Sequence, residues 1–127
     1  MKIILTNGTE LNPLMVTGGS RYVQSANRDC LSFVFDGTVS MDEMDSIFSE
    51  ANCETITIIG DDNSEAIHKG YAIRAELKKS IETVERETPD ALTETVNRII
   101  VSMAQRTYAE TKLAENTAVL SELLGGN

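Results

Sequence analysis

Apolar and polar positions alternate through much of the first 85 residues and then recur at helical spacing, a change of period that divides the chain. Lys2–Thr6 precedes Asn7-Gly8, a dipeptide that tolerates the positive φ angles of a tight hairpin. Glu10–Thr17 reads as an edge or interrupted strand, because Pro13 cannot donate to a ladder, and Gly18-Gly19-Ser20 reads as the turn after it. Arg21–Ser25 is a short strand candidate. Cys30–Phe35 is a stronger one, with Leu31, Phe33 and Phe35 on one face, closed by Asp36-Gly37. Ser40 followed by Glu43 has the form of a capping box, and Met41, Met44, Ile47 and Phe48 recur at helical spacing, which predicts a short helix near 41–51. Thr55–Ile59 is β-branched and predicts a buried strand, followed by the polar turn Gly60–Ser64. Over 71–85 the alternation of Tyr71, Ile73, Ala75 and Leu77 with Ala72, Arg74, Glu76 and Lys78 predicts a strand bent near Lys79-Ser80. Ile73, Leu77, Ile81 and Val84 also share a helical face.

The last third has another texture. Thr88-Pro89-Asp90 offers a capping hydroxyl, a proline at the first helical position and an acid at the positive end of the helix dipole. No Gly or Pro follows until Gly125-Gly126. Leu92, Val96, Ile99 and Met103 keep the four-three-four spacing of a helix-pairing seam, widened by Ile100; after a polar break around Arg106–Thr111, Leu113, Leu120 and Leu124 resume it. An unbroken helix here would be roughly 54 Å long, against a diameter of roughly 35 Å for a compact chain of this size. The expected architecture is therefore α+β: a β-rich domain over 1–87 with one short helix, then a C-terminal helical arm over 88–127, continuous or broken into a pair. That arm would serve self-association or partner docking.

Charge and composition narrow the function. Twenty acids against eleven Lys and Arg give a net charge of -9, which disfavours direct contact with nucleic acid or with an anionic membrane surface. No segment has the length of a secretory signal or a membrane span, which points to a cytoplasmic protein of the reducing compartment, with Cys30 and Cys53 as free buried thiols. One histidine, His68, and two distant cysteines make no zinc set. Asp61, Asn63 and Glu65 alternate like the opening of a calcium loop, but Ala66 and Ala72 stand where the loop's glycine and closing acid belong. Gly18-Gly19-Ser20 lacks the lysine and helix of a phosphate cradle. No catalytic group, metal or cofactor is indicated. Asp42, Glu43, Asp45 and Glu50 read either as the solvated face of the short helix or as an acidic partner surface that imitates nucleic-acid phosphates.

The layout carries a resemblance. An opening hairpin Lys2-Ile3-Ile4-Leu5-Thr6-Asn7-Gly8-Thr9, the segments Gly70-Tyr71-Ala72-Ile73 and Val96-Asn97-Arg98-Ile99, and an ending Leu123-Leu124-Gly125-Gly126 resemble small proteins of the tail and baseplate modules of tailed bacteriophages and prophages. The resemblance implies a noncatalytic structural or assembly role, oligomerisation or contact with other virion proteins, and a location in the host cell or the virion. The alternative is a small acidic phage-encoded inhibitor that occupies a basic host nucleoprotein, as anti-CRISPR proteins do. The excess of acid over residues 1–60, eight acids against three bases, favours that alternative.

Overall fold

The computed structural model describes residues 1–85, 93–113 and 115. Among them the elements run β1 (Lys2–Ile4), β2 (Glu10–Leu11), β3 (Met15–Val23), β4 (Ala26–Asp36), α1 (Met41–Ile47), β5 (Thr55–Ile59), β6 (Glu65–Lys69), β7 (Ile73–Glu85), β8 (Thr93–Ala104) and a short helix α2 (108–113). The strands form two antiparallel sheets, in the orders β2-β1-β5-β6 and β3-β4-β8-β7.

One core lies between the sheets. Leu31, Phe33 and Phe35 of β4 stand opposite Met103, Val101 and Ile99 of β8, and all six are buried. Ile3 and Ile56 come from the other sheet, and Met44 and Phe48 from α1 and its end. Each such aliphatic or aromatic side chain contributes about 1.5–3 kcal/mol by leaving water. Ser40 caps α1 in extended geometry, its hydroxyl accepting from the Glu43 N–H at 3.3 Å. The helix ends at Ile47, short of the expected 51.

The expected α+β division with a long C-terminal helix is overturned: the described residues are mostly β, with two short helices among them. Val96, Ile99, Ile100 and Met103 lie on β8, a central strand and not a helical seam. Half of Thr93–Ala104 is β-branched, which favours extended backbone. The three-four spacing arose because a central strand is covered on both faces. Ile99, Val101 and Met103 fill the core, while Ser102 and Ala104, also buried, point the other way. The expected helix start at Thr88-Pro89-Asp90, and Leu92, Leu120 and Leu124, lie outside the described residues.

One turn and one strand irregularity are also relocated. Gly18-Gly19-Ser20 is interior to β3, and the chain reverses instead at Gln24-Ser25, whose φ angles of 47° and 65° suit a two-residue hairpin without glycine. The strand expected over 71–85 is present as β7, but its irregularity is a bulge between Arg74 and Glu76 and not a bend at Lys79-Ser80. The chain turns at Asn7-Gly8, but only Gly8 has a positive φ, +88°, and the loop 5–9 joins β1 to β2 in place of the tight hairpin expected. In the Gly60–Ser64 turn the Asp62 carboxylate accepts from the Ser64 N–H and hydroxyl, which holds its pKa below the usual carboxylate value.

Candidate functional site

Three arginines, none legible as a site residue from spacing alone, organise one end of the protein. Arg28 on β4 is buried, and each of its guanidinium N–H groups has an acceptor. Nε donates to the Val23 carbonyl at 2.7 Å, Nη1 to the Gln105 carbonyl and to Glu110, and Nη2 to the Gln24 carbonyl and to Glu110 at 3.0 Å. Glu110 also closes a capping box at the start of α2: its carboxylate accepts from the Thr107 N–H, and the Thr107 hydroxyl accepts from the Glu110 N–H. The Arg28 guanidinium, with the Thr107 amide, holds the Glu110 carboxyl down to about 2. The signature Thr107-x-x-Glu110 was there to be read, but inside an assumed helix it passed as a polar interruption.

Arg74 and Arg106 meet the end of α1. Arg74 donates to the Asp45 carboxylate at 3.0 Å and to the Asp45 and Phe48 carbonyls at 3.1 and 2.7 Å. The last turn of α1 has no basic residue of its own, so β7 supplies the cation that its free carbonyls favour. Arg106 bridges Glu54 and Glu50, at 2.7 and 2.6 Å, and its pKa is raised by those hydrogen bonds, Glu54 first. Between these groups opens a cleft of about 920 Å³, lined by Asp45, Glu50, Arg74, Arg106, Glu110 and Leu113 among others.

Of the acidic quartet, Asp45 and Glu50 are thus engaged by Arg74 and Arg106, while Asp42 and Glu43 occupy the exposed first turn of α1. The fold does not gather the four onto one free surface. Of the expected helix interface, Ile99 and Met103 are in the core, Val96 and Ile100 are half-buried on β8, and Leu113 sits on α2, 68% exposed. Cys53 is enclosed in the core, where desolvation pushes its thiol up to about 12; Cys30 is also raised by burial. His68 packs edge-to-face on Tyr71, ring centroids 5.7 Å apart. Among the described residues no three His, Cys, Asp or Glu side chains are grouped to hold a metal ion, and no helix is long and apolar enough to cross a membrane.

A projecting hairpin is the second feature of note. β4 pairs with β8 only as far as Asp36 opposite Arg98, yet β7 and β8 continue for five further pairs, from Ile81 opposite Asn97 to Glu85 opposite Thr93. At about 3.4 Å per residue the two-stranded ribbon reaches roughly 17 Å past the four-stranded sheet. Ile81 is 73% exposed on it, and Val84 and Val96 are half-buried. Glu82 and Arg98 pair across its base at 3.2 Å. Compared with protein-family models, curated proteins and solved structures, the chain has no match.

Proposed function

We propose that this chain is a noncatalytic structural or assembly component of a phage or prophage tail or baseplate, acting through protein–protein contacts in the host cell or the virion. The observation that carries the reading is the β7–β8 ribbon. A two-stranded ribbon is at best marginally stable in water by itself, and this one keeps Ile81 in solvent with Val84 and Val96 only partly covered. Covering those side chains with another protein stabilises both the ribbon and the assembly. The contact element is thus a β-ribbon and not the helical arm expected from spacing, and the tail or baseplate setting comes from the resemblance in layout.

The cleft supports a structural role as well, since its arginines and carboxylates are spent on each other and on helix ends. The same pairs weaken the acidic-inhibitor alternative, because Asp45 and Glu50 face arginines of their own chain. The test uses a lysogen carrying the gene. Induced particles are purified, probed for the chain by immunoblot, and compared with particles from a deletion strain and from an Ile81→Asp strain. The chain is expected in the tail fraction, with titre lost on deletion and incorporation reduced by Ile81→Asp at unchanged thermal stability. Normal tails and titre in the deletion strain would overturn the proposal.

A further inference from the structure

The end of β8 is anchored to the sheets, and the helix that follows is attached in a different way. The Gln105 N–H donates to the Asp29 carbonyl at 2.8 Å and the Arg106 N–H to the Gly70 carbonyl at 2.9 Å, while the Arg106 side chain is held by Glu50 and Glu54. Past that anchor the bonding turns inward. Glu110 closes the cap with Thr107, the Thr111 N–H donates to the Thr107 carbonyl at 3.0 Å, and Lys112 reaches Glu115 and the Tyr108 ring. None of the six residues of α2 is buried, and Tyr108 is 78% exposed. A helix that short, with no buried face, has little stability of its own.

The Glu110 carboxylate brings α2 to the sheets, with both oxygens in the fork of the Arg28 guanidinium. The two partners differ in what else holds them. The Arg28 side chain is 1% exposed and is fixed by the carbonyls of Val23, Gln24 and Gln105, all of which lie ahead of the anchor at Arg106. The Glu110 side chain is 39% exposed and belongs to the segment beyond that anchor. If the pair parts, the socket keeps its shape and the helix leaves.

We infer that α2 is a strap, fastened by Glu110 in the Arg28 socket, which pivots after Arg106 and opens as a unit while both sheets stay folded. Closed, it supplies Glu110 and Leu113 to the wall of the cleft beside Gln24. Open, it widens the cleft on that side and brings the Arg28 guanidinium to solvent. Local opening of this kind belongs to segments with few buried apolar contacts. The strap is separate from the β7–β8 ribbon, and it stands whether or not the tail reading does.

Arginine-specific labelling of the full chain with phenylglyoxal, mapped by peptide mass, tests the strap. In the wild type Arg28 is expected to label at least tenfold more slowly than Arg21, whose side chain is 41% exposed. Glu110→Gln is expected to speed Arg28 at least tenfold with Arg21 unchanged, whereas Lys112→Gln, on the same helix, leaves Arg28 as slow as before. Amide exchange on the wild type separates opening from unfolding: the Thr111 amide should be at least a hundredfold less protected than the most protected amides of β4 and β8. Equal protection of those amides would mean that α2 opens only with the whole fold, and overturns the inference. So does Arg28 labelling that Glu110→Gln leaves unchanged or that Lys112→Gln raises equally, because the fastening then lies elsewhere. A Glu110→Gln chain without β-sheet circular dichroism also overturns it, since α2 would then be part of the fold and not a strap on it.

Discussion

Phe48, with Met44, ties α1 to the core, and replacing it by alanine tests that tie. The ring is 1% exposed and lies 5.5 Å from Phe33 and 5.9 Å from Phe35, measured between centroids, tilted on one and edge-on to the other. The same residue ends the helix, and its carbonyl accepts from Arg74. Truncating a buried Phe to Ala costs about 3–5 kcal/mol, the lost transfer energy plus the cavity left behind, of which each aromatic pair accounts for roughly 0.5–1.5 kcal/mol. The whole fold of such a domain is worth about 5–15 kcal/mol. At roughly 4 °C per kcal/mol for a chain of this size, Phe48→Ala is expected to lower the melting temperature by about 12–20 °C. Thermal and urea unfolding followed by far-UV circular dichroism measure this, with Tyr22→Ala as the exposed aromatic control, expected within about 0.5 kcal/mol of wild type. Phe48→Leu, which keeps most of the volume, should fall between the two. A Phe48→Ala protein melting within about 4 °C of wild type would mean that the three rings do not pack together, and the placement of α1 on the core would be refuted.

Gly37→Ala is expected to destabilise by about 1–3 kcal/mol, because an added Cβ would stand 2.5 Å from both the Cβ and the carbonyl oxygen of Asn97; Gly18→Ala, with open space around it, should not, and equal melting temperatures for the two would contradict the approach of that turn to β8. Glu110 sets a pH window. Its folded pKa, about 2, lies below the ordinary value of 4.5, so its stabilisation is fully present above about pH 4.5 and is lost as pH falls towards 2. Melting temperatures between pH 2 and 6 should show this loss in wild type and a flatter profile in Glu110→Gln; parallel profiles would remove the Arg28–Glu110 pair from the argument. Cys53, enclosed and with its thiol at about 12, should resist a disulfide reagent at pH 8 until the protein unfolds, and labelling of both thiols within seconds under native conditions would show that the core is open.

Local signals in the sequence were strong where one element decided the outcome. The Ser40 cap, the alternation of Cys30–Phe35, the β-branched Thr55–Ile59 and the Asn7-Gly8 turn all form where residues within one element predict them. The turn at Gln24-Ser25 was hidden because it uses two non-glycine residues at positive φ, held by Arg28 reaching the carbonyls of Val23 and Gln24. Arg74 was equally hidden, since its partners, the carbonyls of Asp45 and Phe48, lie 29 and 26 residues away.

What the sequence by itself determined was the position of the short-range elements and the acidic, aliphatic character of the chain. Their physics is local: backbone preference, capping and turn chemistry act over a few residues. Only the tertiary structure decided whether Val96, Ile99, Ile100 and Met103 would be helix or strand, because that spacing satisfies both. The choice fell to β4 and β7, whose open edges supply β8 with two ladders of backbone hydrogen bonds and place Ile99, Val101 and Met103 against Phe35, Phe33 and Leu31. The same event turned 93–104 of the expected helical arm into β8, whose 93–97 form a β-ribbon with 81–85. A central strand is made by its neighbours, and one of them, β4, is some seventy residues away along the chain.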